Sequence, residues 1–123
     1  MTDTLYSRAH TWVRFLPDGS AQVGVTQYLV DTQKQPTFIN LCDEGDTVRA
    51  GDWLGDVEFF KGVTDILSPV SGTVVRVNDA LLRRPQGLLD AENAWLATLT
   101  DVTRDGALWT REQYMQYFTR GAR

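Results

Sequence analysis

The stretch Val48-Arg49-Ala50-Gly51-Asp52-Trp53-Leu54 returns 27 residues later as Val75-Arg76-Val77-Asn78-Asp79-Ala80-Leu81. Four of the seven positions are identical, and a fifth pairs Gly51 with Asn78, two residue types that tolerate left-handed backbone. A solenoid needs at least three stacked units, so two copies point to a quasi-two-fold domain whose halves add strands to both of two sheets. The midpoint of the repeat falls between Lys61 and Gly62. The connection between the halves crosses near such a pseudo-axis, and a two-residue Lys61-Gly62 loop would hold Lys61 at an exposed hairpin tip. Gly62 suits the positive φ that this turn requires.

Extended outward, that hairpin pairs Phe60 with Val63, Phe59 with Thr64 and Glu58 with Asp65. Two carboxylates directly opposite each other are mildly destabilising. Two adjacent aromatic residues beside an exposed tip are equally out of place in a purely structural hairpin. The conflict marks the surroundings of Lys61 as a recognition surface.

The flanks read as short strands and turns. Thr11–Phe15 and Ala21–Val25 alternate on either side of Pro17-Asp18-Gly19-Ser20, a hairpin signal. Thr26 precedes a short capped helix over Gln27–Asp31, Pro36 closes that segment, and Thr37–Leu41 reads as a further strand. Near the C-terminus, Thr110-Arg111-Glu112-Gln113 has capping-box spacing, and Tyr114, Tyr117 and Phe118 share one helical face. A terminal amphipathic helix docked on the β domain follows from this.

The chain has 123 residues, 42% of them hydrophobic and 23% charged, with a formal charge of −4. These values describe one soluble domain that folds without a disulfide or metal staple. No basic cluster exceeds Arg83-Arg84, which argues against nucleic-acid binding. No apolar run approaches a membrane span, and Met1–Ser7 lacks the features of a secretory signal, so a cytoplasmic protein is expected. Cys42 is the single cysteine and stands before Asp43-Glu44, whose charges raise a thiol pKa. His10 is the single histidine and lacks any triad or metal context. Gly45, Gly51 and Gly55 lack the spacing of a phosphate cradle. With no nucleophile–base or metal constellation, the sequence describes something other than an enzyme.

The motifs around Lys61 then carry a resemblance. Glu58-Phe59-Phe60-Lys61, followed by Asp65-Ile66-Leu67-Ser68-Pro69-Val70-Ser71-Gly72, resembles the lipoylation segment of glycine-cleavage H proteins. That pattern is Glu-x-x-Lys, an acidic residue, then Ser-Pro-Val-Ser-Gly ending eleven residues after the lysine, as Gly72 does here. His10-Thr11-Trp12-Val13, Val23-Gly24-Val25-Thr26-x-Tyr28, Gly45-Asp46-x-Val48-x-Ala50-Gly51 and Asn78-x-Ala80-Leu81 are similar to further segments of the family, in order. The resemblance implies a mainly β, lipoyl-type hybrid barrel-sandwich of two antiparallel sheets, with a short helix and a C-terminal helix. Residues 1–103 would form the lipoyl domain, and residues 104–123 a linker and helix packed on it.

It also implies a non-catalytic carrier with lipoate in amide linkage to Lys61. Glu58 and Asp65 are then candidates for recognition by a lipoate ligase or lipoyl transferase. Phe59, Phe60 and Val63 are candidates for an apolar rest for the arm, beside Gly62. A biotin carrier shares the architecture, but its lysine is flanked by methionines, whereas Phe60 and Gly62 flank Lys61. An unmodified β-sandwich interaction module is the remaining alternative.

Two departures bear on the cargo. Lys34-Gln35-Pro36-Thr37 stands where the family usually has a Gly-Asp pair. Only Ala91-Glu92-Asn93-Ala94 separates Asp90 from Trp95, where the family usually has a longer loop near the arm. An unusual linker, Asp105-Gly106-Ala107-Leu108-Trp109, also leads to the terminal helix. The shortened loop turns the expectation toward a relative, the lipoate-binding proteins of heterodisulfide-reductase-like sulfur oxidation, whose arm carries sulfur intermediates. The alternative is a glycine cleavage H protein carrying the aminomethyl group, with the glycine-cleavage enzymes, including a lipoamide dehydrogenase, as partners.

Overall fold

The structure, a computed structural model, describes residues 3–120. Positions 1–2 and 121–123, which belong to the two expected segments, lie outside the described residues. The described residues form nine strands: β1 Asp3–Tyr6, β2 Thr11–Phe15, β3 Ala21–Val25, β4 Pro36–Leu41, β5 Thr47–Val48, β6 Trp53–Phe59, β7 Gly62–Leu67, β8 Ser71–Val77 and β9 Ala97–Thr103. Three α-helices accompany them: α1 Gln27–Gln33, α2 Asp79–Arg83 and α3 Arg111–Met115. The strands build two antiparallel sheets, β1-β2-β3-β9-β8-β5 and β4-β6-β7. This is the mainly β, two-sheet architecture expected, without closure into a single barrel.

Alternation along the strands supplies the core between the sheets. Val13, Val23 and Val25 from the larger sheet meet Leu54, Val57 and Ile66 from the smaller, with Val74 and Leu99, all buried. The β2–β3 hairpin has the expected bounds. Its turn is held by Asp18, whose Oδ1 accepts from the Ser20 amide (2.9 Å) and hydroxyl (2.6 Å), while Gly19 takes φ 90°. Thr26 caps α1 by accepting from the Leu29 amide (3.3 Å), and the helix runs two residues beyond Asp31.

The repeat is only partly expressed in the backbone. Val48 ends β5, Gly51 takes φ 92° in the following turn, and Leu54 enters β6. In the second copy Asn78 has φ −85° and precedes α2, so the expected left-handed equivalence of Gly51 and Asn78 fails. Leu54 and Leu81 are nevertheless both buried. The copies share their apolar anchor and diverge in the segment leading to it.

Among the described residues of the C-terminal segment, α3 packs against β1. Thr110 and Gln113 close a reciprocal capping box at α3, and a π-helical turn over Gln116–Arg120 follows. Tyr114 is buried and stacks on Tyr6 at 5.3 Å between ring centroids. Its hydroxyl lies 2.8 Å from His10 Nδ1 and 2.7 Å from Thr26 Oγ1. Burial, chiefly, pushes the Tyr114 hydroxyl up to about 12 and the His10 imidazole down. His10 is half-buried at φ 66°, and Cys42 is half-buried with a thiol raised first by burial, then by Asp46.

Candidate functional site: the β6–β7 hairpin tip

Cross-strand pairing in the hairpin is Phe59–Gly62, Glu58–Val63, Val57–Thr64 and Asp56–Asp65. The two-residue loop is therefore Phe60-Lys61, one position before the expected Lys61-Gly62, and the expected pairs are displaced. A shift of two in cross-strand partner leaves every side chain on the same face, so alternation alone could not select between the registers. Glu58 thus faces Val63, and the carboxylate opposite Asp65 belongs to Asp56. Positive φ falls on Gly62 (145°), where glycine alone is comfortable.

The tip is fixed from outside the hairpin. The Phe60 amide is shared between the carbonyls of Lys34 (3.2 Å) and Gln35 (3.0 Å), and the Lys61 amide donates to the Gln33 carbonyl (3.2 Å). These acceptors run from Gln33, the last residue of α1, into its connection to β4. Lys34 (φ 64°, ψ 152°) and Gln35 (φ 30°) hold that connection in backbone regions that glycine prefers. The departure seen at Lys34-Gln35 is therefore a place where strained residues do what a glycine would do more easily.

Side chains sort by face. Phe59 is 5% exposed and packs in the core, so the expected arm-resting surface at Phe59 is not offered. Phe60 (73% exposed) and Val63 (65%) stand in solvent beside the exposed Lys61. Phe38 of β4 (52%), opposite Glu58, completes an outward row Phe38-Glu58-Val63. Sequence reading missed Phe38, because the alternation of Phe38 with Ile39 does not say which of the two faces inward. A second outward row, Asn40-Asp56-Asp65, makes this face acidic. Lys61 makes no ion pair among the described residues. It is one of two lysines in the chain, the other being Lys34. An exposed, unpaired primary amine on a pinned two-residue tip fits covalent acylation.

The downstream motif has a structural explanation. Ser68 Oγ donates to the Val70 carbonyl (2.6 Å), and the Ser68 amide and carbonyl bond Asp52 and Gly51 (both 2.8 Å), fixing the corner from β7 to β8. A Cβ on Gly72 would come within 2.9 Å of the Thr100 carbonyl oxygen, so β8 needs a glycine there to lie against β9. No cluster of three or more metal-ligating side chains occurs among the described residues.

Two facing antiparallel sheets with a lysine raised on the hairpin of the smaller one define a lipoyl-type carrier. Comparison with known proteins agrees. The family described as "Glycine cleavage H-protein" matches residues 4–121. The glycine cleavage system H protein of Lachnoclostridium phytofermentans is 36% identical over 118 residues, covering 95% of this chain and 93% of the relative. That of Coprothermobacter proteolyticus is 35% identical, covering 91% of each. The crystal structure of a glycine cleavage system H protein from Mycobacterium marinum superposes with a TM-score of 0.87 at 33% identity, covering 97% of both chains. The chain belongs to the glycine cleavage H-protein family, and as such it is a carrier bearing lipoate covalently on a lysine, not an enzyme.

Proposed function

We propose that this chain carries the aminomethyl group in glycine decarboxylation, on lipoate joined in amide linkage to Lys61. The observation that carries this reading is the exposed, unpaired Lys61 on its pinned tip, in a chain that is H-protein-like along nearly its whole length. Bound there, lipoate supplies a dithiolane on a flexible arm, and tethering raises its local concentration at successive enzymes.

The chain's own residues present the arm. The amides of Phe60 and Lys61 hold its root still. Glu58 and Asp65 mark the face for a lipoate ligase or lipoyl transferase, and Phe60, Gly62 and Val63, joined by Phe38, form the surface against which a partner closes. Residues 1–103 act as the carrier domain and residues 104–123 as its buttress. The partners are the glycine-cleavage enzymes, including a lipoamide dehydrogenase, in the cytoplasm. No helix among the described residues is long and apolar enough to cross a membrane.

The sulfur-carrying reading, with a heterodisulfide-reductase-like complex as partner, now stands second. One observation favours it. The Asp90–Trp95 segment is a tight 3-10 turn with Ala91 and Ala94 buried and the Trp12 indole donating to the Ala91 carbonyl (3.1 Å), so no loop reaches toward the arm. The names of the matched relatives favour the aminomethyl cargo.

Lipoylation by a lipoate ligase, read by peptide mass spectrometry, tests the attachment. Modification of the wild type with none in Lys61→Ala and Lys61→Arg is expected, and retained modification would refute it. Release of carbon dioxide from labelled glycine, with the lipoylated protein added to the other glycine-cleavage enzymes, tests the cargo. No release would return the reading to sulfur.

A further inference from the structure

Given lipoate attachment at Lys61, as proposed above, we infer that Lys34 is a specificity-determining residue of the carrier, its ammonium pairing with a carboxylate of the enzyme that attaches lipoate. Lys34 and Lys61 are the two lysines of the chain, and both are exposed. They belong to one tip. The Lys34 carbonyl accepts from the Phe60 amide (3.2 Å), and the carbonyl of its neighbour Gln33 accepts from the Lys61 amide (3.2 Å). An enzyme that brings an activated acyl group to this tip therefore meets two primary amines and has to acylate one of them.

Strain at Lys34 separates the task of its main chain from that of its side chain. At φ 64°, ψ 152° it occupies a region that glycine enters readily and a residue with a Cβ only under strain. Glycine would aim the same carbonyl at the Phe60 amide without that strain, so the hydrogen bond to the tip gives no reason for a lysine. Contacts within the chain give none either. The Lys34 side chain is exposed and makes no hydrogen bond or ion pair among the described residues. A side chain kept at a cost in strain, with nothing to hold in its own chain, is accounted for by a contact made outside it.

Charge selects that contact. The outward rows Phe38-Glu58-Val63 and Asn40-Asp56-Asp65 put three carboxylates on the face of β4, β6 and β7, and Lys34 stands at the corner where α1 leads into β4. An enzyme docked on the tip meets a negative face with a positive corner, and the complement is a basic surface with one acidic group at that corner. The acidic group also decides between the amines. Acylation joins Nζ to the carbonyl carbon of the mixed anhydride of lipoate and AMP, expels AMP with the bonding electron pair and releases two protons from the ammonium to solvent. An ammonium held by a carboxylate keeps its protons and has no electron pair to attack with. Lys34 is thus anchored as a cation while Lys61, on the two-residue loop, enters the site.

The test uses the full unlipoylated chain with a lipoate ligase, lipoate and ATP. Initial rates are read by intact mass at varied carrier concentration, and the modified residue by peptide mass spectrometry. Lys34→Gln, which removes the charge, should raise KM for the carrier about tenfold, the loss of one charge-assisted contact, with kcat near that of the wild type. Lys34→Glu should raise KM further, and added salt should narrow the gap between each of these variants and the wild type. Lys34→Arg, which keeps the charge, should restore KM to near the wild-type value. Lys34→Gly, which keeps the carbonyl and relieves the strain, should behave as Lys34→Gln does, so that side chain and backbone are told apart. A wild type modified at Lys61 with KM unchanged in Lys34→Gln and Lys34→Glu, or with Lys34→Arg as impaired as Lys34→Gln, would overturn the inference and leave the attachment at Lys61 standing. No modification at Lys61 in the wild type would overturn both.

Discussion

The two tight hairpins of this chain are built on opposite plans. The β2–β3 turn is self-contained: Asp18 bonds both the amide and the hydroxyl of Ser20, and Gly19 absorbs the positive φ. The β6–β7 turn takes its support from elsewhere, because the amides of Phe60 and Lys61 donate to carbonyls at the end of α1. Local chemistry is enough for a turn that only reverses the chain. A turn that must present one side chain in one place is fixed by tertiary contacts, and the strained residues Lys34 and Gln35 sit beside it.

The comparison can be broken most decisively at the lysines. Lys61→Arg should abolish the mass gain from lipoylation completely, whereas Lys34→Arg, at the residue whose carbonyl accepts from the Phe60 amide of the same tip, should retain it on intact-mass analysis. Next in size is Gly62→Ala, expected to cost about 1–2 kcal/mol in urea unfolding because φ 145° is foreign to residues with a Cβ. Gly19→Ala should cost about 1 kcal/mol by the same reasoning, but only the Gly62 variant should also slow lipoylation.

Lys34→Gly should raise stability by about 1 kcal/mol, since glycine occupies φ 64°, ψ 152° without strain. A loss in the same unfolding experiment would mean that the lysine side chain outweighs the backbone. The smallest effect belongs to Asp18. Its carboxyl is held below 3.8, first by the Ser20 hydroxyl and then by the Ser20 amide. The stabilisation it gives is therefore complete above the unfolded value and lost as pH falls through the lower folded one. Asp18→Ala should lower stability slightly near neutrality and leave it unchanged at pH below the folded value, so that the acid limb of the stability-versus-pH profile flattens.

What could be read from the sequence follows the same division. The β2–β3 strands, the α3 capping box and the exposure of Lys61 all rest on neighbours within a few residues, and each was legible. The loop position at β6–β7 was one residue off, because the deciding acceptors, Gln33, Lys34 and Gln35, lie more than twenty residues away in the chain. Nearness to Lys61 in the chain suggests Phe59 as an arm contact, whereas the strand's alternation turns it inward together with Val57. β1 escaped notice because four residues with little apolar content become a strand only by pairing with β2 and, through Tyr6, bridging to Trp109. The midpoint of the repeat does fall in a hairpin, although its second copy turns into helix after Val77.

The three hydrogen bonds donated by the Phe60 and Lys61 amides at the tip have a mechanical corollary. A crane whose mast sways cannot be aimed by the length of its jib, whereas one bolted at the base sweeps a shell of known centre and radius. If lipoate is joined to Lys61, as proposed, the fulcrum is fastened to the end of α1, and docking geometry and tether length then set how often the loaded end meets each enzyme. Loosening the bolts, and not shortening the jib, would be the way to make such a carrier indiscriminate.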